Sequence, residues 1–312
     1  MRQRPLGQTG LEVSELALGT WGLSGDGYGP VDEREQDAVI RRAQALGVTL
    51  FETADTYGRG SMEKRLGALL SGEPGVHFAT KLGTDLDGSP PCKRFDADFL
   101  KQACERSADR LRRGVLDLVL LHNPAASTVR AGEATGVLQE LHRAGAVRAW
   151  GVSAGSGEVA AAAIAHGAPV VQLAYNPFLR ADLEGLGLDG SGPGVLVRSV
   201  LAHGLLAGQW SSGKTFRRAD HRSQRWTEDQ LAQRLRQLAA LTCLLGAGVE
   251  TPRAAALRFA LTPTAVSAAV IGPRSETQLD QLVREATKAP VRLSTAQLAT
   301  LQAELARHGV RP

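Results

Sequence analysis

The stretch LFETADTYGRG (residues 50–60) lies where an apolar run of strand character gives way to a polar loop. The loop holds two glycines and leads into MEKRLGALLSG (62–72), whose apolar residues recur at helical spacing. Two carboxylates, Glu52 and Asp55, stand close to Tyr57, one of only three tyrosines in the chain. The stretch predicts a strand–loop–helix unit with ionisable groups at the carboxyl end of the strand.

The same kind of unit recurs along the chain. Eight apolar runs alternate with amphipathic segments, and they lie at 16–20, 48–54, 77–83, 117–123, 147–154, 170–176, 195–200 and 267–272. Nearly continuous apolar runs are typical of parallel strands that helices cover on both faces. Eight units predict an α/β fold, a (β/α)8 TIM barrel that forms a single domain over residues 1–312. An open doubly wound sheet is less favoured, because no G-x-G-x-x-G follows the first strand.

Three features are expected beyond the bare barrel. Two short β-prone pieces around Gln8, Thr9 and Gly10 predict an N-terminal β-hairpin. Two extra helices are predicted at 227–246 and at 294–307, the second of them capped by Ser294.

Composition narrows the class of protein. Lysine and arginine outnumber aspartate and glutamate by 36 to 32, and the arginines are scattered, which argues against a nucleic-acid partner. Cys92, Cys104 and Cys243 are few, odd in number and far apart, so neither a disulfide framework nor a metal site is predicted. No apolar stretch approaches the roughly 18 residues of a membrane span. We expect a cytoplasmic protein that does not bind membranes.

The predicted strand ends carry an unusual set of polar residues, among them Tyr57, Lys81 and His122. A free tyrosine has a pKa of roughly 10, so it is a weak general acid at neutral pH. A nearby lysine stabilises the phenolate and lowers that pKa, and a neutral histidine can orient a carbonyl oxygen. Such a set suits protonation of a carbonyl oxygen while hydride arrives from a cofactor.

Each residue also has a plainer interpretation. Lys81 could be a surface charge, His122 a structural histidine and Tyr57 a residue that caps the barrel. Their joint occurrence at the ends of successive strands favours catalysis.

The order and spacing of several motifs make the chain resemble the aldo-keto reductase superfamily over nearly its full length. These motifs are LGQTGLEVSELALGTW, FETADTYGRGSMEKRLG, FATKLG, DLVLLHNP, VRAWGVSA, VQLAYNPF, HGLLAG and VIGPRSETQL. The resemblance implies a barrel that binds NAD(P)H without a Rossmann domain. It assigns Tyr57 as general acid/base, Lys81 as the group that lowers its pKa, and His122 as the group that orients the substrate.

The resemblance also implies a cofactor site. Ser153 and Gln172 would bind the nicotinamide carboxamide, and Arg274 would pair with a 2′-phosphate at the adenosine end. NADPH is therefore the expected cofactor, with NADH not excluded. The other residues assigned to cofactor binding are Gly19, Thr20, Trp21, Arg198, Ser199, Leu201, Gly204, Gly272, Ser275 and Gln278.

Four positions depart from the family pattern. Glu52 stands where an aspartate is usual, five residues before the tyrosine, and Asp55 falls at a loop position. Ala154 and Leu282 replace asparagines, and Arg198 replaces an aromatic residue that stacks on the nicotinamide ring.

The expected function is NADPH-dependent reduction of an aldehyde or ketone of modest size, with the oligomeric state left open. Because of these departures from the family pattern, a second hypothesis stays open: the chain could be a cofactor-binding regulatory or sensor protein with vestigial activity. A third, an isomerase or aldolase that uses Lys81 as a Schiff-base nucleophile, is disfavoured by the tyrosine–lysine–histidine set.

Overall fold

The computed structural model describes residues 1–246, 248–289 and 291–310. Twelve strands form within these residues: β1 Gln3–Pro5, β2 Glu12–Ser14, β3 Leu16–Gly19, β4 Leu50–Glu52, β5 His77–Leu82, β6 Thr84–Asp85, β7 Cys92–Lys93, β8 Leu116–His122, β9 Val147–Ser153, β10 Val170–Ala174, β11 Gly194–Arg198 and β12 Val266–Ile271.

Eight of these strands close into a parallel barrel in the order β10-β11-β12-β3-β4-β5-β8-β9, with β9 pairing back to β10. Each barrel strand overlaps one of the eight apolar runs, so the predicted (β/α)8 barrel is confirmed. The strands are buried along almost their whole length, because helices cover the outside and packed side chains fill the inside.

Helices alternate with the barrel strands and surround them. They are α1 Glu33–Ala45, α2 Ser61–Leu70, α3 Ala97–Leu111, α4 Ala126–Ala131, α5 Glu133–Arg143, α6 Gly157–Ala165, α7 Ala181–Glu184, α8 Glu228–Gln237, α9 Pro252–Leu261, α10 Glu276–Thr287 and α11 Thr295–Arg307. Among the described residues, no helix combines the length and apolar character that crossing a membrane requires.

Both extra helices are present, and one prediction needs correction. Helix α11 begins after Ser294, whose hydroxyl accepts a hydrogen bond from Gln297 N, as the capping prediction required. The segment predicted as one helix at 227–246 is instead α8 followed by a 3₁₀ helix at Leu238–Leu244. The apolar run LAALTCLL has no polar face and tightens into 3₁₀ turns, a common way for a helix to end.

The predicted N-terminal hairpin, β1 with β2, closes the amino end of the barrel. Leu6, Leu11 and Val13 are at most 3% exposed and pack in one cluster with the side chains that fill the barrel interior. At the turn, Gly7 has φ +54°, and a Cβ there would lie 2.2 Å from Gly194 N. Only glycine fits this close contact. Because the hairpin covers the amino end of the barrel, the carboxyl end is the open one.

A second hairpin, β6 with β7, was not predicted from the sequence. It rises from the end of β5 and forms one wall beside the mouth, where Lys93 Nζ donates to His122 O at 2.6 Å.

Candidate active site

The carboxyl ends of the barrel strands bring the predicted catalytic side chains together. Glu52 ends β4, Lys81 lies near the end of β5, and His122 ends β8. Each strand is largely buried up to that point, and the carboxyl ends of the strands meet at one end of the barrel. We use the term catalytic mouth for Glu52, Tyr57, Lys81, His122, Ser153 and Gln172.

Lys81 is the centre of the catalytic mouth. Its side chain is 1% exposed, yet the ammonium group has three acceptors, one for each proton. It forms an ion pair with the Glu52 carboxylate, donates to Thr53 O at 2.8 Å, and donates to the Tyr57 hydroxyl at 2.9 Å. The lysine, the tyrosine and the carboxylate predicted from the sequence are therefore in direct contact.

The structure shows what the longer side chain at position 52 reaches. Glu52 Oε1 accepts from Lys81 and also from Gln172 Nε2 at 3.1 Å, and Gln172 Oε1 accepts from Ser153 Oγ at 2.7 Å. In the closed order of strands, β4 and β10 are four positions apart and therefore face each other across the barrel. One carboxylate thus joins the lysine and tyrosine to the two side chains expected to bind the carboxamide.

Burial and the neighbouring charges together determine the protonation states of Lys81 and Tyr57. Burial opposes the charge of Lys81, but Glu52 and Tyr57 outweigh it and raise the lysine pKa. Burial, with Glu52, also raises the pKa of Tyr57, although Lys81 and Arg198 act in the opposite direction. Lys81 therefore has the predicted effect on the tyrosine, but the net pKa is not lowered. The lysine stays charged and the tyrosine stays protonated, as a proton donor requires.

His122 lies against Tyr57, with ring centroids 6.1 Å apart and ring planes at 81°. Burial lowers its pKa well below the usual value, and the positive charges of Lys81 and Lys93 add to the effect. Nδ1 is buried and has no hydrogen-bond partner among the described residues. The imidazole is therefore neutral and carries an unused hydrogen-bonding position.

Arg198 ends β11 and reaches into the same space. It is partly buried, and its Nη2 donates to Ala154 O at 3.0 Å. Burial lowers the pKa of Arg198, whereas the charges of Tyr57 and Glu52 act to raise it.

The residues after β3 lie next to Glu52. The backbone N and the hydroxyl of Thr20 both donate to Glu52 O, at 2.9 and 3.1 Å. A Cβ at Gly19 would lie 2.7 Å from a Val270 side-chain carbon, so this position favours glycine. Trp21 packs on an aromatic cluster outside the mouth, with its ring centroid 5.2 Å from that of Tyr28.

The residues after Arg198 form a tight turn rather than a set of side-chain contacts. Ser199 has φ +57° and Gly204 has φ +98°, and Leu201 precedes a 3₁₀ helix at Ala202–Ala207. A Cβ at Gly204 would lie 3.2 Å from a ring atom of Trp210. The turn presents backbone at the mouth and packs its other side on the aromatic cluster.

That cluster was largely missed by the sequence analysis. His221 packs there against Trp21 and His203 against Trp226, and the backbone N of His221 donates to Gly27 O at 2.8 Å. Arg222 pairs with Asp220 and stacks on Tyr28 at 4.7 Å. No sequence signal linked the loop that holds Gly27 to the loop that holds His221, because their contact depends on closure of the barrel.

The residues predicted for the adenosine end lie at the start of α10, where they contact other parts of the chain. Arg274 donates to four backbone carbonyls of the loop at 22–30, at 2.9 to 3.1 Å. Ser275 caps the helix, Gln278 Oε1 accepts from Arg274 N at 2.9 Å, and Glu35 accepts from Glu276 N at 3.3 Å. We call Arg274, Ser275, Glu276 and Gln278, with Glu35, the α10 terminus. Gly272 precedes it at the end of β12, and Leu282 is buried on the helix face.

Asp55 is not a partner of the Lys81 ammonium group. Its backbone N donates to Lys81 O at 3.1 Å, while its carboxyl group points away, towards Glu63 and Lys93. Burial, with Glu63, raises the Asp55 pKa to about 7. It borders an open cleft of about 430 Å³ that is separate from the tyrosine hydroxyl. Glu63 itself is fully buried and paired with Arg110, which sequence reasoning missed.

Comparisons with known proteins agree with this geometry. A model of the Aldo/keto reductase family matches residues 15–305. The aldo-keto reductase YhdN of Bacillus subtilis is 34% identical over 157 residues, 49% of this chain and 47% of that protein. The 6-dehydroglucose reductase of Novosphingobium aromaticivorans is 34% identical over 158 residues, 48% of this chain and 50% of that protein. These matches span about half the length of the curated relatives.

Solved structures match over almost the whole chain. Glycerol dehydrogenase of Gluconobacter oxydans has a TM-score of 0.84 and 27% identity, covering 99% of this chain and 97% of that structure. The holo form of an aldo-keto reductase from Bacillus halodurans has a TM-score of 0.81 at 23% identity, covering 97% and 96%, and shows the shared fold.

Proposed function

Because this chain belongs to the aldo-keto reductase family, we propose that it reduces the carbonyl group of a small aldehyde or ketone with a nicotinamide cofactor. The observation that carries the proposal is the contact between Lys81 Nζ and the Tyr57 hydroxyl, at 2.9 Å, beside a neutral His122. A protonated acid, a fixed cation and a neutral hydrogen-bond donor are what carbonyl reduction requires of the protein.

Each group has a distinct part in the reaction. A ring N–H of His122 donates to the substrate oxygen and holds the carbonyl next to Tyr57. When bound, a reduced nicotinamide cofactor would provide the hydride that the carbonyl carbon accepts. The Tyr57 hydroxyl passes its proton to the oxygen, which becomes the alcohol, and Lys81 stabilises the phenolate that remains until solvent returns a proton. Glu52 keeps Lys81 charged throughout.

The residues present fit a nicotinamide cofactor. Ser153 and Gln172 place a hydroxyl and an amide side by side, which suits a ligand carboxamide that both donates and accepts. For NADPH, we propose that Arg274 binds the 2′-phosphate, since a guanidinium group pairs well with phosphate. This requires the arginine to give up some of its four bonds to the loop at 22–30.

The substrate class is proposed from the polar character of the mouth. The relatives are named for glycerol and for 6-dehydroglucose, both rich in oxygen. We propose a small oxygenated carbonyl compound for this chain too. The scarcity of cysteines is consistent with work in a reducing compartment such as the cytoplasm.

The test combines binding and turnover. Purified protein is titrated with NADPH and NADH by fluorescence, and a panel of aldehydes and ketones is then assayed with wild type and Tyr57→Phe. We expect the variant to bind cofactor normally and to lose about 10²- to 10⁴-fold in kcat. Tyr175→Phe is the matched control, because Tyr175 stacks on Phe259 away from Lys81.

Two results would contradict the proposal. Cofactor binding without turnover of any carbonyl would favour the sensor hypothesis, and turnover that survives Tyr57→Phe would refute the mechanism.

A further inference from the structure

Arg198 has more hydrogen-bonding capacity than the protein uses. A guanidinium group has five N–H donors. Only one contact, from Nη2 to Ala154 O at 3.0 Å, engages the Arg198 side chain among the described residues. Arg253, which is also partly buried, has three contacts by comparison, two of them to the Glu285 carboxylate.

The charge around Arg198 is also unbalanced. Glu52 is the acidic group nearest to it, but that carboxylate is already paired with Lys81 and bonded to Gln172. No salt bridge to Arg198 forms within the described residues, and Lys93 adds a further positive charge beside His122. The mouth therefore has one cation that neither a carboxylate nor bulk water fully compensates.

Burying an uncompensated charge costs free energy, so such a group is usually completed by a ligand. Arg198 ends β11 at the carboxyl end of the barrel, and its guanidinium group donates to the carbonyl of Ala154, which follows Ser153 of the catalytic mouth. The group therefore lies beside the catalytic mouth, where we propose that the carbonyl compound binds. Arginine pairs with carboxylate and phosphate through two parallel hydrogen bonds.

We propose that Arg198 binds an anionic group of the substrate, so that this enzyme prefers carbonyl compounds bearing a carboxylate or a phosphate. This deepens the proposed function and rests on it. It is compatible with a guanidinium plane beside the nicotinamide ring, since the stacking face and the N–H edges are different parts of the group.

The test compares substrates of matched size. Succinic semialdehyde and butanal both have four carbons, but only the first is an anion, and glyceraldehyde 3-phosphate tests phosphate against unphosphorylated glyceraldehyde. In Arg198→Met we expect kcat/KM for the preferred anion to fall roughly 10- to 100-fold, because a charge-assisted hydrogen bond is lost. The kcat/KM for butanal should fall by a smaller factor, so that the ratio of the two kcat/KM values, anion over butanal, is lower in the variant than in wild type. Arg198→Lys should recover part of the loss, and whichever anion is favoured identifies the group bound.

Arg225→Met is the control, because Arg225 is an exposed cation near the mouth that stacks on Trp226. It should leave the preference unchanged. A second readout needs no turnover: calorimetric titration of the unloaded protein with succinate and with inorganic phosphate should show binding that Arg198→Met weakens.

Several results would overturn the inference. Equal losses on charged and neutral substrates, together with weaker NADPH binding, would make Arg198 a cofactor residue only. A wild-type enzyme without preference for either anion would refute it directly. If no carbonyl is turned over, the proposed function fails, and the titrations still decide whether Arg198 binds an anion.

Discussion

The catalytic mouth and the α10 terminus both hold a positively charged side chain near the end of a barrel strand, but they stabilise it differently. At the mouth, Lys81 is 1% exposed and bonded to a carboxylate that is itself buried. At the α10 terminus, Arg274 is partly exposed, and among the described residues its side chain donates only to backbone carbonyls of one loop. Separating Lys81 from its partners would leave a buried charge unpaired, which costs several kcal/mol. Arg274 can exchange its neutral partners for a ligand at a smaller cost.

This difference suggests a division of labour. We propose that the catalytic mouth has its final geometry before any ligand binds, whereas Arg274 bonds to the loop at 22–30 until a ligand replaces some of those bonds. The predictions below test that contrast, beginning with the change that should disturb the molecule most.

Glu52→Gln should produce the largest effect. It leaves the Lys81 ammonium group buried without its counter-charge, so we expect the free energy of unfolding to fall by about 3–5 kcal/mol. Chemical denaturation of the unloaded protein measures this. Glu52→Asp keeps the charge but shortens the side chain that reaches Gln172 at 3.1 Å. The Glu52→Asp variant should lose less unfolding free energy than Glu52→Gln, and it should bind the cofactor more weakly than wild type. A Glu52→Gln variant as stable as wild type would contradict the picture of a mouth that cannot relax.

Arg274→Met tests the exchangeable region. We expect the Kd for NADPH to rise roughly 10- to 100-fold and the Kd for NADH to change much less, because only NADPH has a 2′-phosphate. Hydrogen exchange in the loop at 22–30 should quicken in the unloaded variant, since four bonds to that loop are lost. Arg284→Met, an exposed change on the same helix, is the control. Equal weakening of both cofactors would mean that Arg274 acts only through the loop.

Asp55→Asn should change stability in a pH-dependent way. The folded protein holds the Asp55 proton up to a pKa of about 7, whereas the unfolded chain releases it near the usual value of 3.8. Stability therefore falls as pH rises through this window, and above it the folded protein carries a buried carboxylate. The asparagine variant should raise Tm at pH 8 and leave it nearly unchanged at pH 4. It should be tolerated far better than Glu52→Gln.

The exposed Asp98→Asn serves as the control for that experiment. A Tm that falls at pH 8 in Asp55→Asn would mean that the Asp55 charge is stabilised by Lys93 and Arg110 more than burial opposes it.

Glu35→Gln should have the smallest effect. The Glu35 carboxylate accepts from the first amide of α10 and would lie near a 2′-phosphate bound there. Removing the negative charge of the partly exposed Glu35 should make phosphate binding more favourable by about 0.3–1 kcal/mol. The affinity for NADPH should therefore improve up to about fivefold relative to the affinity for NADH. Glu33→Gln, in the same turn of α1, should not change the ratio. A weakened NADPH affinity would show that Glu35 organises the site rather than opposing the phosphate.

The sequence was sufficient for the barrel and for the proximity of Glu52, Tyr57 and Lys81 at its carboxyl end, while the catalytic roles of these residues stay predictions. Apolar runs that end in polar residues locate strand ends, and parallel strands put those ends on one side. The sequence could not show that Glu52 reaches Gln172, because that contact depends on which strands face each other after closure. It also could not show that Arg274 donates to loop carbonyls, because every residue has a backbone carbonyl and the sequence does not indicate which of them accept a hydrogen bond. The raised pKa of Asp55 likewise arises from burial, with Glu63 adding to it, and both depend on packing that only folding creates.

The bond between Glu52 and Gln172 has a consequence for how the enzyme is assembled. Glu52 belongs to the first four barrel strands along the chain and Gln172 to the last four, so the bond joins two halves of the barrel. A fragment that contains only the first half would hold Glu52, Tyr57, Lys81 and His122 but would lack Gln172, the second donor to the Glu52 carboxylate. During synthesis, this hydrogen bond therefore forms only when the second half of the barrel closes onto the first.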